Sequence, residues 1–338
     1  MTIAMHALSS VFFLSTLDAA QPVPPVEQGG WLVPAEGDNS MPYWGHKNGI
    51  GVMAPAYHCP RGLIGIYTPY LGLPEFQPLN FVAIEPVVRG CRGYSEMERS
   101  TLDGVQGLRL WTSDAIARKS DPAGVTRPAS GMLKTLDGVE TLVVYIHIER
   151  MGHGAQPIIK AMFRADSPHE VSFRIYGAEG SAKMDSCILT ATMGNYARLR
   201  LLRLKSQPAD ATKLWVGERT PEHGFLSHRE WLLGELFLEG NAAVVYAEPN
   251  ETDPVSAEYA RKTKEFWKYK GKVATQYWRS PNPNPELVCR VNARETYYGE
   301  NGRIPGGLAF ENFELEAPFA EGQEFCFGAT PIRGTQKP

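Results

Sequence analysis

Tyr145, His147 and Glu149 stand at alternate positions in the run Thr141-Leu142-Val143-Val144-Tyr145-Ile146-His147-Ile148-Glu149-Arg150. Extended chain turns successive side chains to opposite faces, so these three share one face and Val144, Ile146 and Ile148 share the other. A phenol, an imidazole and a carboxylate on a rigid strand suit proton transfer or sugar binding. His147 or Tyr145 would then act as general base or acid, with Glu149 orienting or tuning it. A solvated polar face of an antiparallel sheet reads the same way. His153, beyond the turn at Gly152, offers itself as a metal ligand beside His147 and Glu149, although a closed site needs donors from elsewhere as well.

A second group is Ser95-Glu96-Met97-Glu98-Arg99. In extended chain Glu96 and Glu98 share a face, where like charges raise a pKa. Glycoside hydrolysis uses two carboxylates, but they flank the sugar rather than sit two residues apart, so either one is paired in this reading with Glu149. The bland alternative is a charged loop with ion pairs to Arg92 or Arg99. A third group is Gln276-Tyr277-Trp278-Arg279, echoed by Arg290, Arg294 and Tyr297. Flat aromatic faces suit sugar rings, and guanidinium forks suit hydroxyls and carboxylates. Alternation guarantees that one of the pairs Tyr277/Arg279 and Gln276/Trp278 points outward. Trp44, His46 and Lys47 form a similar aromatic and polar loop, as do Tyr57, His58 and Arg61.

Short apolar runs separated by turn residues must carry these groups. Val171-Ser172-Phe173-Arg174-Ile175-Tyr176 alternates cleanly, as an antiparallel sheet with one buried face requires. Leu201-Leu202 breaks the alternation of Arg198 to Leu201, which predicts a bulge or bend. Asp253 as N-cap, Pro254 at the first helical position, Val255, Tyr259 and Phe266 on one face, and Gly271 as terminator predict one helix. Strands do not alternate with long helices, which disfavours a parallel α/β fold. Residues 26–338 read as a single large domain, preceded by an apolar segment within 1–25.

With 338 residues the chain can bury a substantial core, and 33 glycines with 26 prolines suit many short strands and turns. A formal charge of −3 with no basic stripe in view argues against nucleic-acid binding. Five scattered cysteines (Cys59, Cys91, Cys187, Cys289, Cys326) without a C-x-x-C pair argue against a zinc ribbon, and read best as buried small hydrophobes. One or two disulfides stay open. The segment from Ala7 to Gln21 has a signal-like apolar run without a basic n-region, which points to a secreted or periplasmic protein with the cytoplasm as alternative. No segment is long enough to span a bilayer as a helix. G-x-S-x-G, P-loop, G-x-G-x-x-G and H-E-x-x-H patterns are absent.

In order, these patches resemble the jelly-roll polysaccharide lyases of the alginate-lyase type. Ser95-Glu96-Met97-Glu98 resembles part of R-[ST]-E-L-R, with Glu98 where that family closes on arginine. Tyr145-Ile146-His147 resembles Q-[IV]-H, and Tyr269 to Gln276 aligns partly with Y-x-K-x-G-x-Y-x-Q, Tyr277 lying one residue beyond. The resemblance implies an all-β fold: a large antiparallel two-sheet β-sandwich, of jelly-roll type or like the galactose-mutarotase supersandwich, with one or two short helices. It also implies β-elimination on a uronate-containing polysaccharide or oligosaccharide. Arg99, Arg279 or Arg290 would neutralise the carboxylate, and His147 or Tyr277 would move the proton. No organic cofactor is implied, and a structural Ca²⁺ stays open. The alternatives are a glycoside hydrolase using Glu96, Glu98 and Glu149, a non-catalytic carbohydrate-binding β-sandwich, and an aldose epimerase. The oligomeric state is not encoded in any of these patterns.

Overall fold

In the computed structural model the described residues are 23–37, 41–54, 62–74, 77–93, 97, 107–119, 125, 127–221, 224–298 and 302–331. Among them the first strands are β1 (Val26–Gln28), β2 (Trp31–Val33), β3 (Tyr43–His46), β4 (Gly51–Met53), β5 (Ile64–Tyr67), β6 (Asn80–Val88), β7 (Cys91–Arg92) and β8 (Leu110–Ser113). There follow β9 (Met132–Leu136), β10 (Val139–Ile148), β11 (Pro157–Arg164), β12 (Glu170–Gly177), β13 (Ser186–Thr192), β14 (Leu199–Arg203) and β15 (Ala209–Asp210). The last are β16 (Arg229–Leu232), β17 (Phe237–Glu239), β18 (Ala242–Pro249), β19 (Ala274–Pro281), β20 (Val288–Arg294), β21 (Ala309–Pro318) and β22 (Gln323–Pro331).

These strands make two antiparallel sheets of eleven strands each. One runs β1-β2-β3-β4-β5-β6-β13-β21-β20-β16, with β7 on β6. The other runs β15-β14-β18-β19-β22-β12-β11-β10-β8, with β17 on β18 and β9 on β10. The expected two-sheet β-sandwich is what forms. Alternation does the sorting: Leu142, Val144, Ile146 and Ile148 of β10 join Val171, Phe173 and Ile175 of β12 in one apolar cluster between the sheets. Val143 and Tyr145 turn the other way and pack with Ile158 and Met162 on the outer face.

Two details depart from plain alternation. The register between β14 and β18 shifts between Leu199 and Leu201, leaving Arg200 as the extra residue, in keeping with the bulge expected there. The helix expected from Asp253 to Gly271 is absent. Asp253 does cap, accepting from Val255 N, but only the 3₁₀ turn Pro254–Ser256 follows it directly, and one further 3₁₀ turn, Glu265–Trp267, comes before Gly271. Arg198, fully buried, donates to the Pro254 carbonyl and to Tyr259 Oη, and so captures an acceptor that a helix would need. Val255 and Phe266, which a helix would have turned inward, are 52% and 51% exposed. Among the described residues the α-helical turn that does form is Ala211–Leu214, capped by Asp210. Cys91 is exposed, while Cys187, Cys289 and Cys326 are buried, and all four are free thiols. No helix among the described residues is long and apolar enough to cross a membrane.

Candidate active site

β21 lies inside its sheet, between β13 and β20. Phe310 and Phe313 both sit in the core between the sheets, although residues three apart in a regular strand face opposite ways. A β-bulge reconciles them. Val291 pairs with Phe313 and Ala293 with Phe310, so Glu311 and Asn312 together oppose Asn292. The backbone groups that the bulge takes out of the ladder find other partners. Asn312 N donates to Asn292 Oδ1 at 3.0 Å, and Gly194 N donates to the Glu311 carbonyl at 3.0 Å. The bulge therefore places Glu311 on the same side as Glu314, turned away from Phe310 and Phe313.

The two carboxylates are buried but live in opposite surroundings. Burial alone would raise Glu314, yet it is held below the ordinary carboxylate range by His228 and Arg92. His228 Nε2 lies 3.5 Å from Glu314 Oε2, and Arg92 Nη2 donates to Glu314 Oε1 at 2.6 Å. Arg92 also bonds Glu85 through Nε. Glu311 has no such support. Burial pushes it up to about 7, with only the charge of Arg294 opposing.

Arg294 is itself unusual. Its guanidinium lies over the rings of both Phe225 and Tyr298, 5.1 and 5.0 Å from their centroids. It is 1% exposed, and its Nε and Nη1 are buried without a hydrogen-bond partner, as is Glu311 Oε2. A buried carboxyl and a buried guanidinium that feel one another's field, each with polar atoms lacking a hydrogen-bond partner, leave those atoms available to a third group. Beside them Arg290 donates from Nε to Glu230 Oε1 at 2.7 Å and pairs with Glu316, whose Oε1 accepts from Ser186 Oγ at 2.5 Å. A neutral acid near an ionised carboxylate is the charge arrangement that general-acid catalysis with electrostatic support uses.

The residues singled out in the sequence fall into four places. Tyr145 and His147 do share the outer face of β10, but Glu149 lies past the strand end and does not reach His147. Glu149 Oε2 accepts from Arg109 N at 3.0 Å, while His147 Nε2 meets Ser113 Oγ at 2.7 Å and its ring stacks 5.5 Å from Trp111. Burial pushes His147 down to about 4. His153 Nε2 contacts the Pro86 carbonyl, and no cluster of three or more metal-ligating side chains occurs among the described residues.

On β19 the outward pair is Tyr277 and Arg279. Arg279 is already engaged by both oxygens of Glu170, and burial with Glu170 raises the Tyr277 phenol. Gln276 and Trp278 point between the sheets. Asn80 Nδ2 donates to Gln276 Oε1 at 2.7 Å, and Trp278 Nε1 donates to the Phe313 carbonyl at 2.8 Å. Trp44 is likewise in the core, donating to the Ala129 carbonyl, and His46 packs edge-on against Trp31. Gln276, Trp278 and Trp44 are therefore structural residues, not sugar platforms, because a strand inside a sandwich spends its aromatic side on the core. Glu96, Glu98 and Arg99, with Tyr57, His58 and Arg61, lie outside the described residues. Of the expected substrate arginines, Arg290 and Arg294 come to the β21 face and Arg279 lies on the other sheet. Glu311, Glu314 and His228 were missed. The signal for the two glutamates was the pair of i, i+3 repeats Phe310/Phe313 and Glu311/Glu314 in a stretch that otherwise reads as a strand; His228 had none.

No protein-family description matches the chain, and no curated protein does. Among solved structures it is similar to the alpha-galactosidase from Lactobacillus brevis, at 11% sequence identity and a TM-score of 0.32. The likeness covers 89% of this chain and 39% of that one, so the chain spans well under half of that enzyme's length.

Proposed function

We propose that this protein is a carbohydrate-active enzyme that hydrolyses a glycosidic bond, with Glu311 as general acid and Glu314 as its ionised partner. The observation that carries this reading is the opposed titration of two carboxylates brought to one face by the bulge. Near neutral pH Glu311 holds a proton to give to the leaving oxygen. Glu314, kept ionised by His228 and Arg92, supports positive charge developing at the sugar, and Glu311, having given up its proton, takes one back from the attacking water. The buried setting strengthens both effects. Elimination, the chemistry that the lyase resemblance implies, is less well served. Arg279 is occupied by Glu170, and an imidazole held near 4 is too weak a base to take a proton from carbon.

The test is a panel of neutral and uronate-containing polysaccharides and oligosaccharides, read for new reducing ends and for the ultraviolet absorbance of unsaturated uronate. Reducing ends without absorbance, reduced about 10²- to 10⁴-fold in Glu311→Gln, are the expected result. Absorbance rising with reducing ends, or full turnover in Glu311→Gln, would overturn the assignment.

A further inference from the structure

A near-neutral total charge conceals one strongly basic segment, and the expectation that the chain has no basic stripe is corrected by it. Six of the twelve residues from 261 to 272 are Lys or Arg: Arg261, Lys262, Lys264, Lys268, Lys270 and Lys272. The segment is built, not loose. Trp267, buried, stacks on Tyr297 at 5.0 Å, Tyr269 N donates to Tyr259 Oη, and Tyr269 Oη donates to the Lys272 carbonyl. Trp267, Tyr269 and Gly271 face inward in alternation, which turns Lys268, Lys270 and Lys272 to the other side. In extended chain such residues stand roughly 7 Å apart. Arg261, Lys268 and Lys270 also line an open cleft of about 480 Å³ with Tyr259, Val255 and Ala260.

We propose that this strip and cleft bind a sulfated polysaccharide chain, at a place separate from the β21 carboxylates. Lysines outnumber arginines five to one here, and an ammonium is a point charge without the planar fork that suits carboxylates. Point charges make no demand on the shape of the anion, and an ester sulfate, ionised throughout the working pH range, meets them without the forked contact that a carboxylate gains from arginine. Val255, Ala260 and Tyr259 supply apolar contact for the C–H faces of sugar rings. Glu265, fully exposed, bonds Lys268 at 2.9 Å and Lys270 at 3.1 Å. An acidic group in the middle of the strip opposes a polymer charged at every unit, such as a phosphodiester, more than one with spaced sulfates. The saccharide nature of the ligand rests on the carbohydrate reading above; the anion site itself does not.

The full chain is titrated with a sparsely substituted dextran sulfate (well under one sulfate per glucose unit), unsulfated dextran, polygalacturonate and a single-stranded oligothymidylate. Dextran sulfate is expected to bind in a salt-sensitive way, dextran not at all, and the other two more weakly. Lys268→Gln with Lys270→Gln should weaken dextran sulfate binding about tenfold or more, and Glu265→Gln should strengthen it. The same two charges removed elsewhere, as Lys183→Gln with Lys205→Gln, should leave binding within about twofold. Unchanged binding in the Lys268/Lys270 variant overturns the proposal, as does tighter binding of oligothymidylate or polygalacturonate. Binding is read without turnover. A chain that hydrolyses nothing but loses dextran sulfate with Lys268 and Lys270 would therefore defeat the hydrolase reading and support this one.

Discussion

Glu311 and His147 are both buried titratable groups, and they bend stability in opposite directions. The folded pKa of Glu311 is raised from 4.5 to about 7, so the folded state holds that proton more tightly than the unfolded chain does. Below pH 4.5 both states are protonated and nothing is lost. Between 4.5 and 7 the folded state loses stability as pH rises, by on the order of 3 kcal/mol. Denaturant titrations of Glu311→Gln should therefore match the parent near pH 4.5 and exceed it at pH 8. Equal midpoints at pH 8 would show that Glu311 ionises freely and cannot hold the catalytic proton. His147 is lowered from 6.5 to about 4, so the unfolded chain takes the proton first as pH falls. Stability is full above 6.5 and declines by about 3 kcal/mol towards 4. His147→Gln changes the Ser113 contact and so the absolute stability, but the diagnostic quantity is the slope. The variant should show a flatter loss between pH 6.5 and 4, and an unaltered slope would assign the acid sensitivity to other groups.

Single residues gain these environments from the elements that carry them, and the bulge in β21 is the decisive one. Asn292 accepts the Asn312 amide that the bulge orphans. Asn292→Ala should cost about 1–3 kcal/mol, since a buried donor is left unsatisfied. It should also move the alkaline limb of any pH–rate profile, because the register there sets the burial of Glu311. Asn292→Asp, which keeps the acceptor, should restore most of the stability. A variant that loses stability without moving the limb would make Asn292 structural only. The bulge at Arg200 could be anticipated from Leu201-Leu202. The one at Glu311 was hidden by the clean apolar run Leu308-Ala309-Phe310, which hides a change of phase three residues later. The failed helix has the same lesson. Asp253 and Pro254 are correct local signals for a start, and they are obeyed for one turn. What ends it is Arg198, some fifty residues earlier in sequence and invisible to any local pattern. Arg198→Met should cost about 3 kcal/mol through the buried pairing with Glu251, and should loosen 250–259 to protease. Unchanged proteolysis would mean that the segment is held by Trp267 and Tyr269 alone.

At the scale of the molecule, the sandwich was legible because period-two alternation is a global property repeated in strand after strand, from β10 to β12 to β19. Which face of each strand met the other sheet was legible only where one face was wholly apolar. In Gln276-Tyr277-Trp278-Arg279 both faces carry one aromatic and one polar group, and the sequence offers no way to choose. The choice is made by Asn80 on the opposite sheet, which gives the buried Gln276 a partner, and by the Phe313 carbonyl, which receives the indole of Trp278. With Gln276 inward, Trp278 must follow and Tyr277 and Arg279 must face out. This makes the two aromatics separable by experiment. Trp278→Ala removes a fully buried ring that bridges the two sheets and should cost about 3–5 kcal/mol, seen as a lower denaturation midpoint whatever ligand is present. Tyr277→Ala, on the outer face against Tyr246, should cost less than half of that. If Trp278→Ala left the midpoint in place while sugar affinity fell, the tryptophan would be a surface platform after all, and the assignment of faces along β19 would have to be reversed.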